Sequence, residues 1–241
     1  LLPVLTRFVM LGRIYRKPQK TYREGHQPFA RVIMKSVVFL ALLCLPDLAQ
    51  ARCVTAADLA SGIAFTRQDG HIGLIKGDGD AVAIDYAANS KTAWTDQRRA
   101  HLGIYETGWT WVPTDDYYVG GGPGGGYRFK LGGTPPLPAA GTTWTTRIKV
   151  QEAHDDGTES GGSVQRYTLK ASYSYQPVKD ATLSGCSYKI MPVEATFTRS
   201  NTDLTRRWIY FPDLGFGLET RVTNHLTGEE RKLGLTALTP N

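Results

Sequence analysis

No stretch of this chain is apolar for long enough to cross a bilayer as a helix. The longest run, residues 37–45, stops at Pro46 and Asp47, well short of the ~18–20 residues a span requires. Helix signals are scarce as well. The best is TAADLASG at 55–62, with Thr55 as N-cap, Asp58 completing an approximate capping box and Gly62 as terminator, two turns at most. Motifs that carry chemistry are missing in turn. There is no HExxH and no CxxC, and GGSVQ at 161–165 has Gln165 where a GxSxG elbow needs its second Gly.

Two glycine-rich stretches invite functional readings that fail on the same ground. GGGPGGG at 120–126 is followed by neither Lys-Ser nor Lys-Thr, and no helix start stands behind it to hold a phosphate. GDGD at 77–80 offers Asp78 and Asp80, but Val82 breaks the pattern of a calcium loop and no Glu closes it. A β-turn between HIGLIK and AVAIDY explains it more simply. No metal and no cofactor is expected.

What is present begins with MKSVVFLALLCLPDLAQA at 34–51: one Lys, an apolar core, then Ala49 and Ala51 as small residues before Arg52. This is the pattern of a secretory signal peptide cleaved after Ala51. Residues 1–33 then read as an upstream segment foreign to the mature protein. They are a real extended leader, an added piece, or sequence translated from a start codon set too early.

The first 51 residues carry eight of the 28 Lys and Arg and two of the 22 acids, leaving 20 of each in residues 52–241. The basic balance of the whole chain belongs to the leader. A nucleic-acid partner is therefore not expected for the mature domain, nor is a transmembrane anchor after cleavage. Export to the periplasm or beyond also fits cysteine usage. Cys44 lies in the signal core, so Cys53 and Cys186 remain and are expected to pair. A lipid anchor on Cys53 is disfavoured, because Arg52 precedes it.

The mature chain reads with period two. In RYTLKASYSY (166–175), Tyr167, Leu169, Ala171, Tyr173 and Tyr175 alternate with polar residues, the mark of a strand with one buried face. RIKVQ (147–151), VEATFTR (193–199) and LETRV (218–222) alternate similarly. Turn signals at 68–71, 76–80, 154–162, 199–203 and 225–230 separate the runs. The expected fold is mainly β: a curved antiparallel sheet, half-barrel or sandwich of about ten strands with one short N-terminal helix. Residues 52–241 form one β-rich domain, in which the Gly/Pro-rich 120–141 is a loop or linker.

Candidate site residues are aromatic. GWTWVPTDDYYV supplies Trp109, Trp111, Tyr117 and Tyr118 beside the Gly-rich loop, either as the mouth of a pocket or as ordinary core packing. Trp208 and Tyr210 lie in RRWIYFPDLGFGLETRV (206–222). That string resembles the W-Y-x-P-x-L-G-x-hydrophobic segment near the C-terminus of many uncharacterised periplasmic proteins of proteobacteria. GTTWTTRIKV at 141–150 is similar to a segment that often precedes it there. The resemblance implies a hairpin closing a curved antiparallel sheet, and it carries no catalytic residues. His71, His101, His154 and His225 remain as candidate bases, with His154 read as part of a solvated hairpin tip.

Three functions stay open. The first is an exported, non-enzymatic β-sheet protein whose concave face accepts an apolar ligand such as a lipid. The second is an envelope module that assembles with another protein through its edge strands. The third is a hydrolase whose site no motif reveals.

Overall fold

In the computed structural model, residues 52–87, 94–113, 124–154 and 162–241 are described. The signal peptide, the upstream segment, Tyr117 and Tyr118 lie outside the described residues. Fourteen strands follow one another with almost no helix between them. In the first half of the chain they are β1 (Ile63–Arg67), β2 (Ile72–Asp78), β3 (Ala81–Tyr86), β4 (Trp94–His101), β5 (Tyr105–Pro113), β6 (Gly125–Leu131) and β7 (Thr143–His154). In the second half they are β8 (Ser163–Tyr175), β9 (Lys179–Leu183), β10 (Cys186–Arg199), β11 (Thr202–Phe211), β12 (Phe216–Asn224), β13 (Glu230–Lys232) and β14 (Leu235–Pro240). The ten strands expected are thus too few. The expected helix is one 3-10 turn, Ala56–Leu59, whose start is held by the Asp58 carboxylate accepting from the Thr55 N–H at 2.8 Å.

The strands form one antiparallel sheet in the order β13-β12-β11-β10-β8-β7-β6-β5-β4-β3-β2-β1-β14, with β9 paired on β10 off this path. A single continuous path replaces the sandwich alternative. Turn chemistry sets several hairpins. Between β2 and β3 only Gly79 and Asp80 remain unpaired, and Gly79 takes φ +64, the backbone region two-residue hairpin turns give to glycine. Ser184 and Gly185 do the same between β9 and β10, at φ +53 and +78. The hairpin expected from RRWIYFPDLGFGLETRV is β11 and β12, turned through Gly215 at φ +77.

The Gly/Pro-rich stretch is not a loop throughout. Gly125–Leu131 is β6, bonded to β5 on one side and β7 on the other, because Tyr127, Phe129 and Leu131 alternate behind the glycines. The sheet therefore runs on where composition suggests a linker.

The two ends of the sheet are consecutive in the chain. β13 bonds β12 and β14 bonds β1, with only Leu233 and Gly234 between them. The Leu233 N–H donates to Thr220 O, and the Gln68 N–H donates to Gly234 O, at 2.8 and 2.6 Å. The sheet curves far enough that β4–β5 meets β11–β12 across its concave face: the Gly217 N–H donates to Leu102 O at 2.8 Å.

Two core clusters fill that face. The first gathers Ile63, Phe65, Ile75, Ile84 and Leu238 with Cys186, Tyr188 and Ile190 of β10 and Phe211, Phe216 and Leu218. Cys53 and Cys186 are joined as a disulfide, with Cα atoms 5.6 Å apart and a sequence separation of 133. Such a closure contributes at most ~4–5 kcal/mol on chain-entropy grounds. The second cluster holds Ile104, Tyr105, Ile148, Val150, Ala171, Tyr173, Tyr175, Val193, Ala195, Phe197, Trp208 and Tyr210. The inward faces expected of RYTLKASYSY and VEATFTR are the observed ones.

Candidate functional site

Alternation alone places apolar residues inside, yet four charged side chains lie between the two clusters. Arg98 on β4, Glu106 on β5, Arg206 on β11 and Glu219 on β12 are 3–14% exposed. Two bulges put the carboxylates there. On β5, Ala100 pairs Glu106 and Arg99 pairs Gly108, so Thr107 is inserted. On β12, Trp208 pairs Glu219 and Arg207 pairs Arg221, so Thr220 is inserted. Each extra residue turns the glutamate before it to the inner face.

The four groups pair with one another, and only Arg98 Nε among their buried polar atoms has no hydrogen-bond partner. Arg98 Nη1 donates to Glu106 at 3.1 Å and to Glu219 at 3.0 Å. Arg206 donates through Nη1 and Nη2 to the two Glu106 oxygens at 2.6 and 2.5 Å, and through Nε to Glu219. Two positive and two negative charges leave no net charge. Burial pushes Glu219 up, but Arg206 and Arg98 outweigh it and hold its carboxyl down at about 2. Glu106 is likewise held below the usual range by Arg206, against its burial. The guanidinium of Arg98 lies 5.2 Å from the Tyr86 ring and 4.8 Å from that of Trp109, so it touches both halves of the interior.

Beyond this network lies a cavity of about 180 Å³. Tyr127, Phe129, Ile148, Leu169, Phe197 and Leu204 are among the residues of its wall, as are Glu106 and Arg206 of the network. Trp109 also lines it, stacked on Tyr127 at 5.1 Å. Trp111 sits further along the strand against Tyr127 and His154, at 5.5 and 5.6 Å. Trp208 and Tyr210, 2% and 7% exposed, belong to the packed cluster and do not line the cavity. The structure thus brings Trp109 and Trp111 together but sets Trp208 and Tyr210 apart from them.

A polar group neighbours the cavity wall. Glu152 accepts from the Tyr127 hydroxyl at 2.9 Å and lies 2.7 Å from His154 Nε2. Burial first, then Glu152, pushes the Tyr167 phenol up to about 12 and raises Tyr127 further. Both phenols therefore stay protonated donors, not nucleophiles. His154 is the end of β7, not part of a free hairpin tip. Ser163 stands opposite it in the ladder, but among the described residues the His154 ring bonds Glu152 and not the Ser163 hydroxyl.

The other histidines are elsewhere: His71 beside Asp69, His101 at the end of β4, His225 bonded to Thr205 at 2.8 Å. Among the described residues no three His, Cys, Asp or Glu come together as a metal site, and none of the helices is long and apolar enough to span a membrane.

Sequence reasoning missed the cavity residues on β6 because the glycines concealed the strand. It missed Glu106 and Glu219 because a bulge has no period-two signature. Tyr167 and Leu169 were legible as inward-facing. Compared with family models, with curated proteins and with solved structures, the chain has no match.

Proposed function

We propose that the protein is an exported, non-enzymatic binding protein that holds a small apolar molecule, or the end of a lipid chain, in this cavity. The observation that carries the reading is the cavity itself: about 180 Å³ walled mainly by aromatic and aliphatic side chains. A dry cavity of ~150 Å³ takes benzene, so this one suits a single ring or a few carbons of chain. It is too small for a whole acyl chain. The paired charges beside it carry no net charge, which favours a neutral guest. The disulfide and the hairpin resemblance support the exported setting.

The test is a titration of the purified protein with toluene and with hexanoate, followed by tryptophan fluorescence. Saturable binding of toluene, lost in Leu169→Trp with the thermal midpoint retained, is the expected result. No saturable binding of either probe, together with no lipid in an extract of the native protein, overturns the reading.

A hydrolase has one observation in its favour, Ser163 opposite a His154 that is bonded to Glu152. It is the weaker reading, since Nε2 of His154 faces the carboxylate and Ser163 is not engaged. Retained hydrolysis of a p-nitrophenyl ester in Ser163→Ala removes it.

A further inference from the structure

Outward positions on three adjacent strands carry positive charge and no negative charge. Arg128 and Lys130 on β6, Arg147 and Lys149 on β7, and Arg166 and Lys170 on β8 are all exposed. The outward residues among them are Gln151, Thr145, Thr168 and Ser172. Register aligns them in rows: Arg128, Gln151 and Arg166, then Lys130, Lys149 and Thr168, then Arg147 and Lys170. From strand geometry the six charges occupy roughly 14 by 10 Å.

Two of these rows oppose like charges directly, Lys130 with Lys149 and Arg147 with Lys170, an arrangement that costs stability. None of the six makes an ion pair within the described residues. Several outward basic residues on other strands do have partners: Arg99 reaches Asp78 at 2.5 Å, Lys189 reaches Asp180 at 2.7 Å, and Arg207 reaches Glu194. Residues 52–241 hold equal numbers of basic and acidic groups. Six cations without an acidic partner thus stand together on one face.

Beside the Arg128 end of this face lies a depression of about 440 Å³, lined by Thr110, Gly126, Arg128, Gln151, Ala153 and Val164. Gly126 pairs Ala153 across the ladder, so the floor has almost no side chain. A Cβ at Gly126 would lie 3.0 Å from both Thr110 Cγ2 and Trp109 O. Val164, 50% exposed, forms part of the rim.

We infer that this face docks on the surface of an anionic phospholipid bilayer, with a phosphate headgroup in the depression against Arg128 and the other five cations over neighbouring headgroups. A close array of unpaired cations is complementary to a surface of phosphates. Nucleic acid fits less well. No aromatic side chain stands among the outward positions of these strands to stack bases, and a broad sheet face cannot enter a groove that admits a helix or a two-stranded ribbon.

The test is flotation of the full chain with vesicles of 30% phosphatidylglycerol in phosphatidylcholine, and with pure phosphatidylcholine. The double variant Lys149→Glu/Lys170→Glu is compared with the wild type, and Lys189→Glu serves as a control. The leader is common to every protein, so differences report the sheet face. The double variant turns each like-charged pair into an opposite one, so its thermal midpoint stays level or rises. Wild type is expected to bind the anionic vesicles, the double variant about tenfold more weakly or worse, and the control within about twofold of wild type. Salt at 0.5 M should abolish the difference. Equal binding by wild type and double variant overturns the inference, as does an equal loss in Lys189→Glu. Preference of the wild type for a duplex or single-stranded oligonucleotide over the anionic vesicles overturns it in favour of nucleic acid.

Discussion

Ile63, Phe65 and Ile75, in the cluster covered by the β9–β10 hairpin, are 0–1% exposed. In the cluster that holds the cavity, Tyr127, Phe129, Tyr167, Leu169 and Leu204 stay half-buried. Both sets are inward residues of the same sheet, placed there by the same alternation. The difference lies in what packs against them. At the filled end, Cys186, Tyr188 and Ile190 are laid over the strands and tied by the disulfide to Cys53. At the hollow end the sheet's own side chains meet across a gap, bounded by a network of paired charges. Inward-facing residues fill a core where something closes over them, and where nothing does they line a cavity.

The largest effect should come from breaking the boundary between the two ends. Arg206→Met leaves Glu106 and Glu219 facing each other with Arg98 alone, and should cost about 3–5 kcal/mol, read as a fall in the urea midpoint. Acid attacks the same place. The folded Glu219 titrates at about 2, below the ~4.3 of an unfolded glutamate. Its contribution is therefore complete above about pH 4.5 and is lost as pH falls toward 2, on the order of 3 kcal/mol. Denaturant titrations from pH 6 to 2 should show this decline, and Glu219→Gln should flatten it.

Next in size is the cover itself. Cys53→Ser/Cys186→Ser should cost about 2–4 kcal/mol. Amide exchange should quicken first around Ile63 and Tyr188, while Ile148 and Val150 keep their protection. Equal loss at both ends would erase the contrast drawn above. The smallest effect is the sharpest. Leu169→Phe at the hollow end should stabilise by about 0.5–1 kcal/mol, whereas Ile63→Phe at the filled end should destabilise by about 1–3 kcal/mol, both measured by thermal denaturation.

Much of the filled end was legible in the sequence. A pair of cysteines and turn glycines at 79 and 215 each act through a rule local to the chain or through a count, as does the alternation of 166–175 at the other end. The hollow end was less so. Gly125 and Gly126 read as a loop because glycine disfavours strands, yet Gly125 lies where a Cβ would strike the Trp111 ring at 2.1 Å. There the glycine serves a neighbour rather than a turn. Thr107 and Thr220 look like ordinary alternating residues, and only the partner strand shows that each is one residue too many. The cationic face escaped notice because a charge total sums over faces that the fold keeps apart.

Leu235–Pro240 lies against Ile63–Arg67, so the strand that opens the domain waits for the one that finishes it. A chain arriving N-terminus first holds β1 with one flank bare through the making of twelve further strands. Contacts this distant in sequence slow folding, and a bare edge invites foreign strands meanwhile. That flank of β1 is thus covered late, only when those six residues arrive.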